Sequence, residues 1–252
     1  MKLISPLRNP FINFIRVMTA EKHQLSKSTY IRSLQCLKSL FLYKYHYKLR
    51  DPLPAELLVR FDKGHNIGKL AQQLFPGGFE VTADRVYDYA QRISLTRELI
   101  LKGYETIYEA AFQFEKVLAI ADILVKRGGK WFAYEVKSSP AISETYLKDA
   151  ALQYFVIVNS GLQLEDFSII HLNQKLEEAL VNDPTKIFNE HSVLEYCTTQ
   201  IDFVKNSIVI AKNILEKKII PSIEIGDHCL KPYRCDFYNF CHRKEPEPGK
   251  LF

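Results

Sequence analysis

From Ser26 to Leu49, Tyr30, Leu34, Leu37 and Phe41 recur at helical spacing, and Lys27, Arg32, Lys38, Lys44 and Lys48 crowd around them. One helix is predicted here, stopped by Pro52 and Pro54, because proline lacks the donor a helix needs. A second helix is expected from Asp62 to Phe75, with Ile67, Leu70, Ala71 and Leu74 on one side and Pro76-Gly77-Gly78 at its end. A third is expected from Asp84 to Lys102, with Val86, Tyr89, Ala90, Ile93 and Ile100 as its stripe and Gly103 as its C-cap. The period then changes. Residues 106–137 alternate, are rich in β-branched and aromatic side chains and contain no proline, which predicts strands over 106–115, 117–127 and 130–137. A helix is expected over Ser143–Ser160, capped by Gly161, then a strand over 166–172 and a helical stretch over 186–218 that ends before Pro221. The order helix, three strands, helix, strand places the chain in the α/β class with a mixed sheet, N-terminal helices and a C-terminal cysteine-rich segment. The expected organisation is an extension over 1–24, a main domain with a helical insert over 25–220 and a tail over 221–252.

Composition narrows the class without naming it. With 47% apolar and 25% charged residues, the chain is globular rather than disordered or fibrous. No run of about 18 apolar residues occurs, so no spanning helix is expected. Lys2, Arg8 and Arg16 flank apolar patches broken by Pro6 and Pro10, with neither a continuous apolar stretch nor a small-residue cleavage site, so no signal peptide is expected. An amphipathic targeting segment is one alternative for this stretch; translation from Met18, or a loose extension over residues 1–17, would account for it more simply, and a cytoplasmic location is expected. The net charge of +5 is mild. It suits a polyanionic partner but does not argue for one alone.

The turn Arg127-Gly128-Gly129-Lys130 carries the first chemistry. A Gly-Gly pair between alternating segments favours a two-residue hairpin loop, which pairs 127 with 130 and, counting back, Asp122 with Glu135. Their Cβ atoms would then lie about 4.5–5.5 Å apart on one face. The flanks Ile120-Ala121 and Ile123-Leu124, with Tyr134 and Val136 across the sheet, are mostly apolar. Two facing carboxylates in such surroundings repel unless neutralised, and a hard divalent cation takes carboxylate oxygens readily. Lys137 falls on the same face two residues on. An Asp, a Glu and a Lys on one face suit metal-assisted phosphodiester hydrolysis, although a solvated salt-bridge cluster would show the same letters.

Asp122 with Glu135-Val136-Lys137 resembles the D…(D/E)-x-K signature of the PD-(D/E)XK nuclease superfamily, whose restriction-endonuclease-like core runs α-β-β-β-α-β. More narrowly, the chain resembles the Cas4/RecB-like branch over about residues 25–245. Gly64-His65-Asn66-Ile67-Gly68 matches that branch's upstream histidine, and Gln153 matches its glutamine on the following helix. The resemblance implies Mg²⁺ or Mn²⁺ held by His65, Asp122, Glu135 and the Val136 carbonyl, with Lys137 positioning the attacking water and Gln153 assisting. The branch often has a tyrosine four residues after the glutamine. Ile157 stands there, and Tyr154 sits beside Gln153 instead. Glu109, between Ile107 and Phe112, is either a further acidic ligand or an ordinary exposed position. Asp149 shares a helix face with Gln153 and is either part of the site or solvated.

Five cysteines occur, an odd number, and Cys229, Cys235 and Cys241 are evenly spaced near the C-terminus. That argues for metal ligation rather than a disulfide framework, with Cys36 as the natural fourth ligand. The arrangement resembles the [4Fe-4S] clasp of Cas4- and AddB-type nucleases, and more closely the nuclease-like part of the DUF2779 family, which has a similar H-C-x-x-P-Y-x-C tail. Structural zinc is the alternative for four thiolates, although these intervals exceed the usual zinc spacings. Cys197 is expected to be a small buried hydrophobe. The resulting expectation is a metal-dependent deoxyribonuclease, exonuclease-like on single-stranded ends. Tyr30, Arg32, Lys38, Lys44 and Tyr154 are candidate nucleic-acid contacts. No helicase motif occurs, so unwinding falls to a helicase or another repair or defence partner. The rival expectation is a non-catalytic nucleic-acid-binding or adaptor module on the same fold.

Overall fold

Alternation becomes strand where it was expected. The computed structural model describes residues 22–52, 64–173 apart from 65 and 86, and 183–243 apart from 218. Its strands are β1 (Leu25–Ser26), β2 (Phe79–Glu80), β3 (Thr106–Phe114), β4 (Val117–Arg127), β5 (Lys130–Lys137), β6 (Leu164–Leu172) and β7 (Phe188–Ser192). They form one mixed sheet in the order β2-β3-β4-β5-β6-β7, with β1 added to β4. β3, β4 and β5 form an antiparallel meander, β5 runs parallel to β6, and β7 closes the edge antiparallel to β6.

The helices are α1 (Lys27–Gln35), α2 (Leu37–Tyr45), α3 (Tyr89–Leu101), α4 (Glu144–Asn159), α5 (Pro184–Ile187), α6 (Leu194–Thr199), α7 (Ile201–Lys217) and α8 (Tyr238–His242). Residues 66–72 are also helical. Ser143 caps α4 by accepting from the Tyr146 N–H, which is why that helix starts where its apolar stripe does. Asp88 caps α3 through the Gln91 N–H, so the helix begins five residues later than its periodicity predicts.

Two expectations change. The single helix over 26–49 is split by Cys36, whose backbone is extended (φ −163°, ψ 118°). The stretch over 186–218 is not one helix. Its first part is the strand β7, whose exposed Asn189, Glu190, His191 and Ser192 suit a sheet edge, where polar residues discourage further pairing.

The described residues fall into two compact units, one from 22–27 and 64–201, the other from 28–52 and 202–243. The first unit contains the sheet. Helices α3 and α4 pack on it, and Ala71, Phe75, Tyr108, Ile123, Val125, Tyr134 and Ile170 form an apolar cluster. The second unit joins α2 to α7 through the Tyr45 hydroxyl, which donates to the Leu215 carbonyl. It has its own small core of Leu42, Cys235 and Phe237. Among the described residues, no helix is long and apolar enough to cross a membrane.

Candidate metal and catalytic site

Gly128 and Gly129 both have positive φ (+56° and +80°), the backbone that a two-residue hairpin loop of this hand requires. The turn sets the register the sequence predicts, with Arg127 opposite Lys130 and Ile123 opposite Tyr134. One step further the ladder changes character. Asp122 Oδ2 accepts the Val136 N–H at 2.6 Å, so a side-chain oxygen stands in for a strand-to-strand bond. On this edge of β4, β1 pairs at Val117 and Leu118 and β5 pairs from Ile123 onward. Among the described residues, 119–122 therefore form a fork between two strands. Lys27 directly follows β1, which brings its side chain to this fork.

Glu135 is the hub of the site and is 2% exposed. Its Oε1 accepts from Lys27 Nζ and Lys137 Nζ, both at 2.6 Å, and its Oε2 accepts from Gln153 Nε2 at 2.8 Å. Lys137 also donates to Asp149 Oδ2 at 2.7 Å and lies over the Tyr146 ring. Gln153 is fully buried, and its Oε1 has no hydrogen-bond partner. Glu109 lies on β3 between the pairs Tyr108–Ile123 and Ala110–Ala121, at the register position facing Asp122. Its φ of +56° is strained for a residue with a Cβ.

These contacts divide the acids. Burial would raise the Glu135 carboxyl, but the charges and hydrogen bonds of Lys137 and Lys27 outweigh it and hold the group far below its usual range. Asp122 goes the other way: burial and the Glu135 charge push it up to about 8. Glu109 is raised mainly by burial, against the pull of Arg92. Burial would lower Lys137, yet Glu135 and Asp149 raise it, so it stays an ammonium.

Asp122, Glu135, Lys137 and Gln153 thus lie together, with Asp149 and Glu109 beside them. Val136 presents its N–H to Asp122. His65 lies outside the described residues. Lys27 was visible only as one basic residue among several, because its place depends on a two-residue strand that carries no periodicity. Among the described residues, no three His, Cys, Asp or Glu side chains converge closely enough to form a metal centre; at Glu135 the ammonium groups of Lys27 and Lys137 occupy the carboxylate instead. The hard oxygen donors and the orphaned Gln153 Oε1 fit a divalent cation by their chemistry.

The candidate nucleic-acid contacts fare differently. Tyr30 is fully buried, so it is a core residue and offers no face for stacking a base, a correction to the expectation. Arg32 is held within the second unit by Asp236 at 2.6 Å and lies over the Tyr43 ring. Lys38 lines the cysteine cavity, and Lys44 is exposed. Tyr154 is half-buried on α4, within electrostatic reach of Cys197.

In the second unit Cys36, Cys229, Cys235 and Cys241 line one cavity, and all are free thiols. The break in the helix at Cys36 is held by Gln35, whose Nε2 donates to the carbonyls of His228 at 2.8 Å and Tyr233 at 2.7 Å. Burial raises the Cys36 thiol, against nearby main-chain amides, and also raises Cys241. Phe237 N–H donates to Cys235 Sγ at 3.5 Å, the type of bond that tunes a ligating sulfur. Cys197 lies in the first unit, fully buried, with its thiol pushed up to about 12 by burial.

No protein-family profile matches the chain, and no curated protein matches it. Among solved structures, one described as "Crystal structure of SSO0001" superposes with a TM-score of 0.34 at 12% identity, over 80% of this chain and 84% of that one. The functional reading therefore rests on the site itself.

Proposed function

We propose that the protein is a metal-dependent deoxyribonuclease of the PD-(D/E)XK type that hydrolyses phosphodiester bonds, with single-stranded ends as its substrate. One observation carries this reading: Asp122, Glu135 and Lys137 share one face of the β4–β5 hairpin and meet Gln153 and Asp149 of α4. The element order α3-β3-β4-β5-α4-β6 supports it, being the order that the nuclease core requires.

Asp122, Glu135 and the Val136 carbonyl would hold Mg²⁺ or Mn²⁺, with His65 implied by the family resemblance and Glu109 within the same acidic group. A divalent cation bound there supplies Lewis-acid polarisation of the phosphodiester and a more acidic water. The protein's own residues do the rest. Gln153 fixes Glu135 through Oε2, and Asp149 holds Lys137 in the charged form. Lys137 then offers a proton donor and a positive charge to the attacking water and the phosphate. The four cysteines of the second unit would hold a [4Fe-4S] cluster, or zinc as the alternative, in a structural role.

Cleavage assays on single-stranded DNA, duplex DNA and RNA, with and without Mn²⁺, test this reading. Mn²⁺-dependent loss of single-stranded DNA is expected. Binding of DNA without cleavage under every condition would favour the adaptor reading instead.

A further inference from the structure

Glu135 Oε1 receives two ammonium groups, Lys27 and Lys137, each at 2.6 Å, and Oε2 is taken by Gln153. A carboxylate has about four lone-pair directions, so this one is nearly filled by donors. Two cations on one oxygen also repel each other. A divalent cation that binds through Oε1 must displace one ammonium.

The two lysines are not held equally. The Lys137 side chain is 15% exposed and has a second short contact, to Asp149 at 2.7 Å, with the Tyr146 ring beneath it at 5.0 Å. The Lys27 side chain is 33% exposed, and among the described residues its only other ion-pair partner, Asp149, is 3.7 Å away, too far for a hydrogen bond. Its main chain is fixed beside β4 by the pairs Leu25–Val117 and Ser26–Leu118. The ammonium can therefore swing only on its own flexible stem, and the side chain, one third exposed, gives that swing a route toward a polyanion. Lysine binds phosphate well as a point charge.

Building on the nuclease reading, we propose that Lys27 is a substrate-binding residue held in reserve on Glu135: it competes with the divalent cation for that carboxylate and, once displaced, binds a phosphate of the DNA backbone. The two halves of this role have opposite signs in a variant. Lys27→Met keeps the apolar stem and removes the charge, so Mn²⁺ should bind about tenfold more tightly, while single-stranded DNA should bind more weakly. The slope of log affinity against log salt should shrink by about 0.7, the value for one lost phosphate contact on a single strand. A merely structural role for Lys27 would weaken both affinities together.

The experiment measures Mn²⁺ affinity by calorimetry and DNA affinity with Ca²⁺ replacing Mn²⁺, on the full chain, for wild type, Lys27→Met, Lys27→Arg and Lys130→Ala. Lys27→Arg offers Glu135 a bidentate partner and should bind Mn²⁺ more weakly than wild type, while keeping the salt slope. Lys130, on the hairpin turn with Glu165, serves as the charge control and should move neither quantity. Unchanged or weaker Mn²⁺ binding by Lys27→Met, or an unchanged salt slope, overturns the role of Lys27 and leaves the nuclease reading standing. A wild type that binds neither Mn²⁺ nor DNA overturns both.

Discussion

Asp122 carries the electrostatic tension of the site. Its carboxyl is raised to about 8 from an ordinary value near 3.9, so the folded chain binds a proton there that the unfolded chain has already released. Stability from this group is fully present below the unfolded value and is lost as pH rises through the folded one. In the metal-free protein, Asp122 alone should lower stability by up to about 1.4 kcal/mol per pH unit between roughly pH 4 and 8. Glu135 moves in the opposite direction, so its effect falls on the acid side of that window. Asp122→Asn keeps an oxygen for the Val136 N–H and removes the titration. Urea denaturation in a metal chelator at pH 5, 6.5 and 8 should show the variant's advantage growing with pH. A constant difference between the two proteins would contradict the raised carboxyl.

The hairpin is the element that makes the site legible. A two-residue glycine turn fixes the register, and in a sheet a slip of one residue would move Asp122 to the opposite face. The facing of Asp122, Glu135 and Lys137 could therefore be read from letters alone, as could the helix that brings Gln153. Other features could not. The fork that admits Lys27 depends on β1, two residues whose pairing with β4 leaves no local signal. The polar run of β7 resembles the outer face of a helix, and nothing near Cys36 announces an extended residue inside a helical stripe. Both are set by tertiary partners: β6 for the first, and the loop carbonyls that Gln35 engages for the second. The hairpin argument has its own test. Gly129 has φ +80°, so Gly129→Val forces a β-branched residue into left-handed backbone and should cost about 1–2 kcal/mol. Gly129→Asn, a residue that tolerates this conformation, should cost clearly less in the same denaturation experiment.

At the scale of the whole molecule, the two units carry different donor sets: oxygen in the first and sulfur in the second. The second unit is assembled from chain segments far apart in sequence, and its four cysteines draw on both. A metal joining Cys36 to Cys229 would close a long loop, the case in which a staple removes most unfolded-state freedom, and its binding energy would appear as folding energy. Anaerobically purified protein should contain about four irons per chain, or one zinc in the alternative. Cys36→Ser and Cys235→Ser should lose the metal equally, whereas Cys197→Ser should retain it. A Cys36→Ser protein with full metal content would contradict the shared site. The central claim concerns the first unit, and the most direct test is the rate of Mn²⁺-dependent cleavage of single-stranded DNA by wild type, Asp122→Ala and Glu135→Ala, with thermal melts to confirm folding. The account predicts cleavage by the wild type and a loss of roughly a thousandfold or more in both folded variants; wild-type rates in Asp122→Ala, or no cleavage by the wild type, would contradict it.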